Sequence, residues 1–305
     1  ASGRKTLVKQ LSSALDNLAV APDGTVYVSN MADNAIEAVD PGNGRSRTLT
    51  AGRVAVPAGL KIDGDTLWLA DVFAFRAVDT RSGAVRDLKR MHATGSDIEY
   101  PFAVGLSAKH LTLASWFTGW VQVIDRSTMK TVANLHGFKA PYDALPLPDG
   151  SVLVAEIATG SVVKASGPGY ATRQTVVSGL AGPVAMVLGR DGALHLTEAA
   201  GTLVRIDLST GARTVLADKL ALPEGLAETP WGSFIVAEAA AGRLTEIDPR
   251  SGARRTVAQG LPIGLSAGPG MPPPYVPTGV AVGADGTVFF SADRNNAIYR
   301  IRPAP

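Results

Sequence analysis

A stretch of about forty residues recurs seven times along this chain, and that period constrains the fold more than any other feature. Each copy opens on Pro-x-Gly-Leu or a variant of it. A turn follows, often Asp-Gly, then an apolar strand that ends on a polar residue. A second alternating strand closes on Ile-Asp or similar, and a last, more polar strand follows a Ser-Gly turn. The copies begin near Leu15, Pro57, Pro101, Pro141, Gly182, Leu222 and Pro277. The Asp-Gly pairs at 23–24, 149–150, 191–192 and 285–286 suit hairpin turns that need positive φ. The strands are short and rich in Val, Ile, Leu and Thr, and no window has a helical period. Four strands per copy at this spacing predict an all-β fold, a seven-bladed β-propeller in which each blade is one antiparallel sheet and residues 1–305 form a single domain.

The ends of the repeat array predict how the ring closes. The seventh copy stops after its third strand, at Arg302, and Lys5–Leu11 forms an orphan strand with no copy before it. Pairing of residues 5–11 with 297–302 would complete the last blade and remove a free sheet edge. The Pro- and Gly-rich stretch 262–276 reads as an extended loop.

Composition narrows the function. Charged residues are 18% of the chain, the net charge is +2 and the basic residues are scattered. That balance argues against a nucleic-acid or membrane-surface partner and leaves a small molecule as the expected one, bound by a monomer. No apolar run is long enough to span a bilayer as a helix. With no cysteine, there is no disulfide, zinc–thiolate site or thiol nucleophile. Absence of cysteine and a small residue at position 1 fit an exported protein, so a periplasmic or secreted location is expected, with the cytoplasm as the alternative.

In a propeller, residues at the start of each inner strand and at the end of each second strand converge on one face. The first set holds Asp16, Ala58, Phe102, Tyr142, Val184, Glu224 and Thr278. The second holds Asn30, Asp71, Ser115, Glu156, Glu198, Glu238 and Ala292. Carboxylates crowded in a ring repel unless a cation, an arginine or shared protons relieve them. Glu156, Glu198, Glu238 and Asp71, joined by Asp16 and Glu224, therefore suggest a hard cation, Ca²⁺ or Mg²⁺. The plainer alternative is that the position is polar in every repeat and caps a strand end. His92 and His136 fall in connections on the same face, where a neutral imidazole can act as general base, with Glu198 as a further catalytic candidate. Phe73, Phe75, Trp116, Trp120, Tyr142 and Tyr275 suggest an aromatic wall for a substrate.

Runs such as DGTVYVSNMADNAIEAVD from Asp23 and DGTVFFSADRNNAIYRI from Asp285 resemble the NHL-type propellers. Two enzyme families in this neighbourhood are similar to parts of the pattern. The regucalcin/gluconolactonase family is six-bladed and binds a divalent cation through Glu, Asn and Asp of the first set, where this chain has Asp16, Glu224 and Tyr142-Asp143. The virginiamycin B lyase-like family is seven-bladed with a Phe-Thr-Glu in the second set. Leu196-Thr197-Glu198, Val154-Ala155-Glu156 and Val236-Ala237-Glu238 look similar. That family carries a catalytic histidine after the leading proline of late blades, where this chain has Glu224 and Thr278. The resemblance implies a metal-assisted hydrolase opening a lactone or ester, with two alternatives: a lyase of the streptogramin type, or a non-catalytic module that binds a small molecule, peptide or glycan.

Overall fold

The computed structural model describes residues 5–50, 52–271 and 273–302, and the residue at position 1 lies outside them. Its regular structure is twenty-seven β-strands and two single 3₁₀ turns, Pro168–Tyr170 and Ala239–Ala241. The strands form seven antiparallel sheets, one per repeat. The first holds β1 (Leu15–Val20), β2 (Val26–Asn30), β3 (Ala35–Val39) and β4 (Ser46–Thr50). The second holds β5 (Pro57–Asp63), β6 (Thr66–Asp71), β7 (Ala74–Asp79) and β8 (Val85–Arg90). The third holds β9 (Ala103–Leu106), β10 (His110–Ser115), β11 (Trp120–Asp125) and β12 (Thr131–Leu135). The fourth holds β13 (Pro141–Pro146), β14 (Val152–Glu156), β15 (Ser161–Ser166) and β16 (Thr172–Val177). The fifth holds β17 (Pro183–Leu188), β18 (Leu194–Glu198), β19 (Thr202–Ile206) and β20 (Arg213–Ala217). The sixth holds β21 (Pro223–Glu228), β22 (Phe234–Glu238), β23 (Arg243–Ile247) and β24 (Arg254–Gln259). The seventh has three strands, β25 (Val280–Val282), β26 (Val288–Ala292) and β27 (Ala297–Ile301).

Burial follows strand position. The second strands of the ring are buried almost throughout, Val152–Glu156 and Phe234–Glu238 at every residue, because both faces are covered by neighbouring sheets. The outermost strands are polar, and Thr172–Val177 is exposed over most of its length. The apolar cores therefore lie between successive sheets. One packs Trp68, Phe75, Leu111, Leu113 and Trp120 between the second and third sheets. Another packs Leu153, Val162, Met186 and Leu196 between the fourth and fifth.

The inner strands β5, β9, β13, β17, β21 and β25 pack in that order, and β25 returns to β5. The core of Val54, Leu60, Leu67, Leu69, Ala281 and Phe289 seals this last junction. Gly279 lets it close, since a methyl there would collide with the Ala58 carbonyl and the Leu60 amide. Six of the seven sheets thus close a circle, and the first stands outside it. All six residues of β1 are exposed, with Leu18 at 67% and Val20 at 62%. The first sheet is tied to the second by Arg76, which donates to the Ala32 carbonyl, and by Arg90, which pairs with Asp33 and donates to the Ser13 carbonyl.

The expected closure is not formed. Lys5–Leu11 carries no strand, and the seventh sheet keeps three. The physical reason is the direct packing of β25 on β5, while residues 5–11 stay with the first sheet. Val8 lies against the Gly44 turn there, as Val176 of the fourth sheet lies against the Gly211 turn of the fifth.

Candidate functional site at the channel

Pro57, Pro141, Pro183 and Pro223 pair directly with Asp71, Glu156, Glu198 and Glu238. Both sets of candidate residues therefore lie at one end of the circle. After each of these prolines the register shifts, which turns the following residues toward the channel.

The channel holds Lys61, Phe102, Tyr142, Asp143, Val184, Glu224 and Thr278 around a void of about 30 Å³. Glu224 is 2% exposed, and its Oε2 accepts from the Thr278 amide at 2.7 Å. Burial pushes its carboxyl up to about 8, with the charge of Asp293 adding to the effect. At neutral pH Glu224 is an acid with a proton to give. Asp143 accepts from the Ala144 and Met186 amides, both at 2.8 Å. Burial raises its carboxyl, and the Lys61 ammonium opposes the rise. Tyr142 lies beside Glu224, and burial together with that carboxylate's charge raises its phenol.

The second set does something else. Glu156 accepts from the Lys139 amide at 2.9 Å and from Thr159 Oγ1. Glu198 accepts from the Ala181 amide at 2.8 Å, from Thr202 and from Arg213. Glu238 accepts from the Ala221 amide at 2.8 Å, from Arg243 Nε and Nη2 and from Thr245. Burial works against ionisation of Glu238, but the Arg243 and Thr245 bonds outweigh it and hold the carboxyl low. Asp71 accepts from the Ala55 and Val56 amides and pairs with Arg76 at 2.6 Å. Each side chain pins the connection leading into its own sheet. The four do not form a cation ring, because their oxygens turn to separate backbone donors. Among the described residues no three His, Cys, Asp or Glu are gathered as a metal ion needs. Asp16 lies exposed on β1, outside the circle, and does not join Glu224.

No family model matches this sequence, and no curated protein does. Solved structures do. A streptogramin B lyase is 15% identical, with 94% of this chain and 93% of that one covered at a TM-score of 0.57. Virginiamycin B lyase from Staphylococcus aureus is 15% identical, with 94% of each chain covered at 0.55. The WD40 β-propeller domain of Doa1 is 13% identical, with 94% of this chain and 92% of that one covered at 0.59. The chain is a β-propeller.

At the loop-rich end of the propeller, part of the expected aromatic wall assembles. Trp116 stacks on Tyr142 at 5.9 Å and meets Tyr275 edge-on at 5.9 Å, while Phe73 packs against Tyr100. Residues 273–276 reach this cluster, with Tyr142 Oη donating to the Pro274 carbonyl at 2.5 Å and Trp116 Nε1 to the Tyr275 carbonyl at 3.2 Å. A surface cleft of about 620 Å³ opens between this segment and the sixth sheet, with Arg294 and Tyr275 in its lining. Phe75 and Trp120 do not belong to the wall. Both are fully buried between the second and third sheets, where the strand alternation turns them. The histidines do not reach the channel either. His92 is exposed, and His136 is 54% exposed and bonded to Glu99 at 2.8 Å. Lys61 and Asp143 complete the channel lining, and the charge of Asp293, which accepts from the Leu265 amide, reaches Glu224. Asp143 sits one residue beyond the position that the repeat alignment compared and was legible beside Tyr142, whereas Lys61 sits three residues beyond Ala58, which is why reading that position alone passed over it.

Proposed function

We propose that this propeller is an acid–base enzyme of the lyase type, acting on a small molecule with an ester or lactone bond at the loop-rich end of the channel. The observation that carries the reading is Glu224: a carboxyl 2% exposed in the channel lining, which burial pushes up to about 8, with Asp143 and Lys61 lining the same void. In an elimination a base takes a proton from the carbon next to the one that bears the ester oxygen, a C=C bond forms as that C–O bond breaks, and an acid protonates the departing carboxylate. Glu224 supplies the proton, and Asp143, kept near an ammonium, accepts one. Trp116, Tyr142 and Tyr275 give the substrate an apolar face. The similarity to streptogramin lyases supports this at the level of fold and makes a streptogramin B the first compound to incubate, beside simple lactones. Elimination opens the ring with no change of mass, and hydrolysis adds one water, so mass spectrometry separates the lyase from the hydrolase. Glu224→Gln should abolish turnover; full activity in that variant would overturn the assignment. A metal-assisted hydrolase is less well supported, because Asp71, Glu156, Glu198 and Glu238 have their oxygens engaged by their own sheets.

We also propose that all seven repeats can close as one ring, with Lys5–Leu11 as the missing fourth strand of the last sheet. Support comes from the repeat itself and from Val8, which holds the place beside Gly44 that an outermost strand of a preceding sheet holds elsewhere.

A further inference from the structure

The residue before each second-set position is a hydroxyl in three repeats: Ser29, Thr197 and Ser291. Each accepts from an inner-strand amide of its own sheet, those of Asn17, Ala185 and Gly279. Thr197 then donates across to the next sheet, to the Glu224 carbonyl at 2.8 Å. Ser291 also donates across, to the Ala58 carbonyl at 2.7 Å, so the seventh sheet bonds to the second and skips the first. By the rule that Thr197 sets, the Ala58 carbonyl is the acceptor due to Ser29, whose sheet directly precedes it. With that acceptor taken, Ser29 turns back to its own Asn17 carbonyl at 3.4 Å. Two hydroxyls are thus built for one carbonyl.

The surfaces on either side show the same duplication. The seventh and second sheets meet at their inner strands but diverge outward, leaving a cleft of about 550 Å³ lined by Leu67, Val78, Phe289, Ile298 and Tyr299. The first sheet shows to solvent the apolar side chains that would line such a junction: Leu15, Leu18, Val20 and Ile36. With six sheets in the circle, the void beside Glu224 has room for about one water molecule. Adding a sheet to the circle widens its bore, as adding strands widens a barrel.

We propose that the first sheet is a removable blade that gates the channel: it enters between the seventh and second sheets, Ser29 displaces Ser291 from the Ala58 carbonyl, and the widened channel admits substrate to Glu224. The proposal rests on the seven-sheet ring proposed above. The exchange breaks the Arg76 and Arg90 bonds to the first sheet and the close approach of Gly279 to Ala58. It covers the apolar face of β1 in return.

The absence of cysteine makes the test clean. Spin labels on Thr80→Cys and Arg300→Cys report the separation of the second and seventh sheets, which now touch there through Arg300 and the Thr80 carbonyl. Two distance populations are expected, the second longer by about 10 Å, one sheet spacing. Ser29→Ala should deplete the longer one. A single short population overturns the seven-sheet ring, and a long distance confined to a dimer fraction overturns it in favour of exchange between copies. The gate is tested separately, with a water-soluble carbodiimide and an amine nucleophile as the probe of Glu224, read by mass spectrometry. Bridging the same two cysteines with a short bis-maleimide should slow labelling of Glu224 by about tenfold or more, in proportion to the open population removed. Equal labelling with and without the bridge overturns the gate while leaving the ring standing.

Discussion

Glu224 and Trp120 show how far a single position can be read. Glu224 stands in the place that follows each leading proline, so its arrival at the channel was legible. Its protonation was not, because that depends on how completely six sheets exclude water around it. The sign of the resulting pH effect is fixed. A carboxyl near 4.5 when unfolded and about 8 when folded stabilises the fold fully below the lower value, and that stability is lost as pH rises through the upper one. Melting temperature should therefore fall between about pH 5 and pH 8, a loss on the order of several kcal/mol at most, and Glu224→Gln should flatten that part of the profile. An unchanged slope in the variant would mean another group titrates there. Activity that needs Glu224 as an acid should fall over the same upper limb. Trp120 reads as a binding residue by its place after a loop, but strand parity turns it inward, where its Nε1 donates to Asn134. Trp120→Ala should cost about 3–5 kcal/mol in denaturant unfolding. A stability change below about 1 kcal/mol would place the side chain at the surface after all.

At the scale of the element, the repeat made the strands legible and left their partners hidden. All seven sheets fall where the period puts them, because alternation and Asp-Gly turns are local signals. The carboxylates that end the second strands are local too, yet what they bond is a connection about seventeen residues earlier, as Glu198 bonds Ala181. No pattern in the sequence separates a carboxylate that pins a connection from one that faces a neighbour across a channel. The two roles differ in their response to a cation. Millimolar calcium or magnesium should leave the melting temperature unchanged, since Glu156, Glu198 and Glu238 have no shared vacancy to stabilise, and a ligand raises stability only where it binds the folded state. A rise with concentration would show that oxygen donors gather elsewhere. Glu238→Ala should destabilise by about 3 kcal/mol with or without the ion, because it strips a buried partner from Arg243, Thr245 and the Ala221 amide at once.

At the scale of the whole molecule, counting repeats gave the number of sheets but not the number in the circle. Closure depends on whether β25 packs better on β5 directly or on β1. The contact that decides it here is a backbone one: Gly279 and Ala58 approach without a side chain between them, whereas Asn17 holds the corresponding place in the first sheet. The consequence is a difference between the two ends of the chain. Removing residues 1–50 deletes a sheet that, among the described residues, is hydrogen-bonded to the circle through Arg76 and Arg90, so the remaining protein should unfold in one cooperative transition close to that of the full chain. Removing residues 277–302 takes out a sheet that seals β21 to β5 through Val280, Phe289 and Phe290, and should abolish cooperative folding. Calorimetry on both truncations makes the comparison. If the N-terminal deletion collapses as the C-terminal one does, the first sheet belongs to the circle at rest, and the six-sheet arrangement is the minor state of the exchange.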